Sequence, residues 1–244
     1  MHAPSALLTV RVATDDEPAA GRPRWRYLAE LVGVVALVGA LLAVMTVKDA
    51  AAGGWAARLF LVARMAGVVL LCTWLLRRNG ERWADLGLRR PRHWWAVPIL
   101  VVGGFALLAV LTGLLQPLLP ALGAELPRTT RFPTWAEAPV THLFWAVPVA
   151  WGSAAFGEEL LARGFLLDRI RKVLGASGLP ATLLAVVLQA LVFGAFHFHQ
   201  GIGGVLWTSA IALGLGLVWL AGGRNLWASI LLHGLVDFLS VTGL

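Results

Sequence analysis

The chain alternates long apolar runs with short polar segments. A run of about 20 apolar residues is long enough to cross a bilayer as a helix, because an α-helix rises about 1.5 Å per residue. We therefore predict an all-α, multi-span transmembrane helical bundle of about seven spans. The predicted spans are residues 28–47, 59–76, 96–118, 140–161, 181–199, 205–220 and 226–243.

Two of these predicted spans are less regular than the others. The second contains a charged residue, Arg64, and the sixth is short for a membrane-crossing helix. The basic residues of the loops then predict the orientation, because cytoplasmic loops carry an excess of Lys and Arg. If seven spans cross the membrane and the N-terminus lies in the cytoplasm, only four basic loop residues lie on the opposite, non-cytoplasmic side: Lys48, Arg58, Arg128 and Arg131. The sequence predicts an N-in/C-out topology.

The composition agrees with a membrane protein. The chain is 59% hydrophobic and 14% charged, whereas soluble domains average roughly 45–50% apolar and about 25% charged residues. The net charge of +7 does not indicate nucleic-acid binding, because the arginines are spread between apolar runs instead of lining one face. The single cysteine, Cys72, excludes an intramolecular disulfide.

Three charged residues interrupt the fourth predicted span, in the stretch "WGSAAFGEELLARGF". An ionised side chain near the bilayer centre costs about 2.5–3.5 kcal/mol on insertion scales, so it needs a cause. Glu159 and Arg163 are four residues apart, which predicts that they share a helix face and pair. Glu158 is rotated by about 100° from Glu159 and must face something else.

Two later spans carry histidines in apolar surroundings. His197 follows Phe193 by four residues, and His233 precedes Asp237 by four. Since rare intramembrane ionisable groups normally face a bundle interior, we expect these groups and Glu158 to converge on one water-filled pocket. A glutamate beside a histidine can take a proton from water, and the resulting hydroxide can attack an amide carbonyl while a second histidine donates to the oxyanion.

A metal site is an alternative interpretation of the same residues. Glu158, His197 and His233 could bind a divalent metal such as zinc, which would activate the same water. Purely structural roles are also open for each group. The Glu159–Arg163 pair and the histidine–aspartate pair could simply be satisfied polar contacts, and His197 could bond to a neighbouring helix.

Two neighbouring features are expected to be peripheral. His199 lies two residues beyond His197, so on a continuous helix it would face nearly the opposite way, towards the membrane interface. The segment "GFLLDRIRKVLG" after the fourth span has apolar residues at helical spacing with charges between them. We expect it to run along the membrane surface.

The motifs that carry these residues resemble those of a known family. "EELLAR", "FGAFH" and "HGLVD" are similar, in order and on successive spans, to the E-E-x-x-x-R, F-x-x-x-H and H-x-x-x-N/D motifs of the CPBP intramembrane proteases, the CAAX-processing and bacteriocin-processing (Abi) enzymes. "DLGLRRP", before the third span, also resembles a phrase common in bacterial members. The resemblance covers about residues 80–244.

The resemblance implies an endopeptidase that cuts peptide bonds within or beside the membrane. Its implied catalytic residues are Glu158 and His197 for water activation, His233 with Asp237 on the oxyanion side, and Glu159 with Arg163 completing the first motif.

One departure affects the expected mechanism. The CAAX-processing members that compare most closely have asparagine at the position of Asp237. An ionised aspartate cannot donate to an oxyanion. Asp237 must therefore be protonated, or else orient His233 by accepting its ring hydrogen.

The resulting interpretation assigns three regions: a polar cytoplasmic tail, 1–27; two spans with a basic cytoplasmic loop, 28–95; and a catalytic membrane bundle, 96–244. The expected partners are a polypeptide substrate at the membrane and the lipid bilayer, without nucleic acid. The sequence does not set an oligomeric state.

The Ala-, Arg- and Trp-rich composition favours a bacterial plasma membrane, and thus leader-type or membrane-associated substrates instead of prenylated ones. Two other classes use the same buried groups: a proton-coupled transporter, disfavoured because no internal repeat is evident, and a non-catalytic membrane scaffold.

Overall fold

The computed structural model describes residues 22–127, 130–175 and 177–243, and this part of the chain is helical without β-strands. Its helices are α1 (Arg24–Val44), α2 (Val47–Ala52), α3 (Trp55–Arg78), α4 (Ala96–Leu115), α5 (Pro139–Phe144), α6 (Leu167–Leu174), α7 (Gly178–Ala195), α8 (Gly201–Ala221) and α9 (Trp227–Thr242). Two π-helical segments, Trp145–Glu158 and Leu160–Leu166, connect α5 to α6, and short 3₁₀ turns follow α4 and α7.

The predicted all-α, multi-span architecture is confirmed. Five helical segments of the described residues are long and apolar enough to cross a membrane, and α9 is an apolar helix of shorter length. The sixth predicted span is longer than expected, because α8 begins at Gly201. The five segments are Arg24–Ala52, Trp55–Arg78, Ala96–Leu118, Gly178–Ala195 and Phe198–Ala221.

The N-terminal boundary differs from the prediction. Residues 1–21 of the predicted tail lie outside the described residues, and α1 already begins at Arg24 instead of residue 28. Arg128, one of the residues used for the orientation, also lies outside the described part. The N-in/C-out topology and the three-region division stay predictions.

The fourth predicted span is part of one continuous helical segment that is wound mainly as π-helix. The first π segment contains Pro148, which has no backbone N–H to donate, and the second ends where α6 begins. Glu159 lies between the two π segments. π-Helical turns are rare and are found frequently at functional sites, so this winding marks the segment that carries the first motif.

Small residues allow the central helices to approach closely. A Cβ atom at Gly234 of α9 would lie 2.3 Å from the ring of Trp151 in the first π segment. A Cβ atom at Gly216 of α8 would lie 2.7 Å from a methyl group of Val186 in α7. Glycine at such positions lets helix backbones pack closely in a membrane bundle. The first and last predicted motifs are thereby held side by side.

A network of charges ties the first helix to α6. The guanidinium of Arg169 is fully buried and lies 2.7 Å from Glu30 of α1 and 2.7 Å from Glu81 of the loop after α3. Asp168 also pairs with Arg169, and Lys172 pairs with both Glu81 and Asp168. Arg169 therefore lies inside the protein, where three carboxylates compensate for its burial. The expectation that this segment runs along the membrane surface stays a prediction.

The "DLGLRRP" loop is docked on the turn between α8 and α9. The backbone N–H of Leu226 donates to the carbonyl of Gly87 at 3.1 Å, and the Asn225 side chain donates to the carbonyl of Arg89 at 2.8 Å. Gly87 has φ +108°, and a side chain there would meet the backbone of that turn at 2.5 Å. Glycine is therefore required by both conformation and space.

Candidate active site

A buried ion pair forms the centre of the first motif. Glu159 and Arg163 are both fully buried, and Arg163 Nη1 donates to Glu159 Oε1 at 2.7 Å. Nη2 of the same guanidinium donates to the carbonyl of Ala212 in α8 at 2.9 Å, and the group lies 5.1 Å from the ring centre of Phe193. The pairing predicted from the four-residue spacing is present. Burial of both charges is tolerable because each has a hydrogen-bonded counterpart.

The third motif joins this pair through Glu159. His233 Nδ1 lies 2.8 Å from Glu159 Oε1, and His233 Nε2 lies 3.5 Å from Asp237 Oδ2. Both ring nitrogens thus face carboxylate oxygens. A neutral imidazole carries one N–H, so a doubly protonated ring or a protonated Asp237 satisfies both contacts. Asp237 is positioned to orient His233, whereas the bond to Glu159 could not be anticipated from sequence spacing.

Glu158 and His197 line a separate, open space beside this network. It is a cavity of about 90 Å³, whereas one water requires roughly 10–15 Å³ of such space. Glu158 comes from the first π segment and His197 from the turn after α7. Several waters therefore fit between these two polar groups and a largely apolar wall. That wall includes Val38, Leu41, Leu42, Met65, Val68 and Phe196.

The backbone fixes the tautomer of His197. Its Nδ1 lies 3.1 Å from the carbonyl oxygen of Phe193, one turn earlier in the chain. Since a carbonyl oxygen only accepts, Nδ1 must carry the hydrogen and donate. In the neutral ring Nε2 is then the basic nitrogen, free to accept a proton.

The six predicted site residues thus fall into two groups. Glu158 and His197 line the cavity. The other four form the connected network behind it and are not among the lining residues: Glu159, Arg163, His233 and Asp237.

His199 is a cavity residue, so the expectation that it faces the opposite way is wrong. Its ring is stacked on His197, with 6.0 Å between the ring centres, and it lines the same space. The physical reason is that α7 ends at Ala195, so the 100° rotation per residue no longer applies. The sequence signal is Gly201, which has φ +78° and closes the turn.

Arg64 is a further cavity residue that was not among the predicted site residues. It lines the cavity from α3, opposite the turn that carries the histidines. Its Nη1 donates to the carbonyls of Leu41, at 3.4 Å, and Met45 at the end of α1. The available signal was the charge itself, which interrupts an otherwise apolar span.

The predicted alternative of a metal site receives no support from the side-chain arrangement. Among the described residues, no group of three or more His, Cys, Asp or Glu side chains is arranged to hold a metal ion. Glu158 and His197 line the cavity, whereas His233 bonds to Glu159 behind it. The three proposed ligands therefore do not form one donor set.

The comparisons with known proteins bear on the same part of the chain. Residues 140–239 match the family model described as type II CAAX prenyl endopeptidase Rce1-like. This segment is similar to Rce1-like CAAX endopeptidases, and for that match it is named the Rce1-like domain. The match agrees with the resemblance to CPBP proteases drawn from the three motifs. No curated protein and no solved structure matches the chain.

The Rce1-like domain contains all six predicted site residues but not the whole cavity. It extends from α5 into α9 and so includes both the cavity groups and the buried network. The helices α1 and α3, which supply Arg64 and much of the apolar wall, lie before residue 140. In this multi-pass membrane protein, the N-terminal helices therefore complete the space that the Rce1-like domain leaves open.

Proposed function

We propose that this protein is an intramembrane endopeptidase that hydrolyses peptide bonds with a water activated by Glu158 and His197. One observation carries the proposal: these two groups, both within the segment that matches the Rce1-like endopeptidase model, line a cavity with room for water. The scaffold and transporter alternatives use the same residues but have no comparable support.

The proposed reaction begins with a water between Glu158 and Nε2 of His197. As the water oxygen adds to the substrate carbonyl carbon, its proton moves to the carboxylate, and the carbonyl oxygen becomes an oxyanion. The tetrahedral intermediate then collapses, the C–N bond breaks, and the departing nitrogen takes the proton from Glu158. The hydroxyl proton of the new carboxylic acid passes through Nε2 of His197 to the amine. The products are thus a carboxylate and an ammonium group, and both catalytic groups return to their starting states. No step needs a metal.

The buried network has a positioning role in this proposal. Arg163 and Glu159 fix the helix that carries Glu158, and Glu159 orients His233 through Nδ1. His233 is the proposed donor to the oxyanion, oriented at Nε2 by Asp237. Preorganised donors of this kind usually account for a large part of a rate enhancement. Since His233 is not among the residues that line the cavity, the proposal requires Nε2 to turn from Asp237 towards the cavity when the oxyanion forms.

The proposed substrates are leader-type or membrane-associated polypeptides in a bacterial plasma membrane. The apolar wall of the cavity, formed by α1, α3 and the turn after α7, favours an extended apolar stretch next to the scissile bond. The family description names CAAX prenyl endopeptidases. A pair of substrates with and without a prenyl group therefore belongs in the first assay.

The test is cleavage of a quenched peptide library by the purified protein in detergent. We expect Glu158→Gln and His197→Ala to lower the rate by about 10²- to 10⁴-fold, the range for loss of a general acid–base group. His142→Ala is the matched control, since His142 bonds to the carbonyl of Pro133 at 3.0 Å and does not line the cavity. Thermal melts establish that each variant is folded.

The possible results separate the functions clearly. Cleavage by the wild type and by His142→Ala, with loss in both cavity variants, supports the proposal. Activity that persists in Glu158→Gln contradicts the assigned site. Proton flux in liposomes without cleavage of any peptide supports the transporter instead.

A further inference from the structure

Arg64 is a cation within the candidate membrane span of α3, and its hydrogen bonds to the described residues go only to neutral groups. It lies nine residues after Trp55, the N-terminal residue of that helix, about 14 Å along the helix axis. Its hydrogen bonds go to two backbone carbonyls of α1, through Nη1 alone. No carboxylate of the described residues lies within ion-pair distance of it. A charge at such depth normally has an anionic or functional counterpart.

The guanidinium faces the catalytic cavity. Arg64, Glu158 and His197 line the same space, and the charges of Arg64 and Glu158 are close enough to interact. The packing explains this proximity, because a Cβ atom at Gly157 would lie 2.5 Å from the side chain of Met65, the neighbour of Arg64. The helix α3 is therefore pressed against the backbone that carries the proposed base.

The remaining donors of Arg64 are suited to an anion. Nη2 and Nε make no hydrogen bond to the described residues, while Nη1 is anchored to the end of α1. An arginine held by one nitrogen presents the other two as a fork that matches the two oxygens of a carboxylate. The guanidinium is also always charged, so the site retains its preference at any working pH.

We propose that Arg64 binds a carboxylate of the polypeptide substrate and thereby positions the scissile bond over Glu158. The proposal rests on the proposed endopeptidase function and adds a specificity-determining residue that lies outside the Rce1-like domain. The carboxylate is either the C-terminal α-carboxylate of the substrate or an acidic side chain close to the cleaved bond. Both present the same planar anion to the guanidinium.

The test compares three matched peptides in the cleavage assay: a C-terminal acid, the same peptide as a C-terminal amide, and the amide with a glutamate near the scissile bond. For the wild type we expect kcat/KM to be about 10- to 100-fold higher for one of the two carboxylate-bearing peptides than for the plain amide. This is the effect of one charge-assisted hydrogen bond. The preferred peptide identifies the source of the carboxylate.

Variants then assign the preference to this side chain. Arg64→Gln is expected to abolish the preference mainly through KM, and Arg64→Lys to restore part of it. Arg58→Gln on the same helix is the control, because Arg58 bonds to Thr141 at 3.5 Å and does not line the cavity. If Arg64 only holds α1 in place, Arg64→Gln should lower the cleavage of all three peptides by the same factor.

The outcomes separate the two proposals. Equal cleavage of all three peptides by the wild type overturns the carboxylate site, even if Arg64→Gln does not fold. A preference that Arg64→Gln retains also overturns it. If the wild type cleaves no peptide, the endopeptidase proposal fails, and the assignment of Arg64 falls with it.

Discussion

Removing Arg163 tests whether the first motif is held together by its buried charge. In Arg163→Met the carboxylate of Glu159 loses its guanidinium partner and keeps only His233 and the Ser229 hydroxyl beside it. The carbonyl of Ala212 loses the donor that Arg163 supplies. Breaking one side of a buried ion pair costs about 3–5 kcal/mol, because the other charge is left uncompensated. We expect the free energy of unfolding to fall by that amount.

The double variant Glu159→Gln/Arg163→Met gives the sharper measurement. Glutamine at position 159 keeps an acceptor for His233 but removes the charge that Arg163 compensates. Much of the free energy of unfolding lost in Arg163→Met should therefore be recovered. We expect the double variant to be within about 2 kcal/mol of the wild type, since replacing a buried pair is often nearly neutral. Equilibrium unfolding in mixed detergent micelles, followed by tryptophan fluorescence, measures all three variants.

An exposed pair on the same chain serves as the control. Arg131 and Glu137 lie 2.5 Å apart, but their side chains are 82% and 45% exposed. Solvent screens such a pair, so Arg131→Met should leave the free energy of unfolding unchanged within error. The reasoning is refuted if Arg163→Met is as stable as the wild type, or if the two single changes simply add in the double variant.

Three further predictions concern packing, the charge network and metal. Gly234→Ala should lower the free energy of unfolding by about 1–3 kcal/mol, because the added Cβ meets the rigid ring of Trp151. Gly33→Ala should not, because a Cβ there would meet nothing within 4 Å. Thermal unfolding compares the two variants. Arg169→Met should leave Glu81 without one of its buried partners and make the N-terminal helices more susceptible to limited proteolysis, which SDS gels report; an unchanged digestion pattern contradicts this. A chelator should leave peptide cleavage within about twofold of the untreated rate, since the proposed reaction uses no metal; strong inhibition that added zinc reverses would overturn it.

Hydropathy and helical spacing predicted the features that depend on one segment at a time. Apolar runs located the membrane helices, because burying apolar side chains dominates which segments cross a bilayer. The pair formed by Glu159 and Arg163 followed from the geometry of one helical turn. These predictions needed no knowledge of which helices are neighbours.

Features that depend on contacts between distant segments were not predictable in the same way. The bond from His233 to Glu159 joins residues 74 positions apart, and that from Arg169 to Glu30 spans 139. Neither separation has a periodicity that spacing could reveal. Predicting that His199 faces the cavity would have required knowing that α7 ends at Ala195. The exact end of a helix is poorly defined by a sequence pattern.

The long separation between Glu30 and Arg169 has a consequence for the order in which the protein matures. Glu30 leaves the ribosome 139 residues before its buried partner, which at about 5–20 residues per second is a delay of roughly 7–28 s. During that interval α1 and α3, which form one wall of the cavity, are already synthesised, whereas the helices that form the other wall are not. The N-terminal helices must therefore stay laterally mobile in the bilayer, or be held by the insertion machinery, until the charge that locks them in position has been translated.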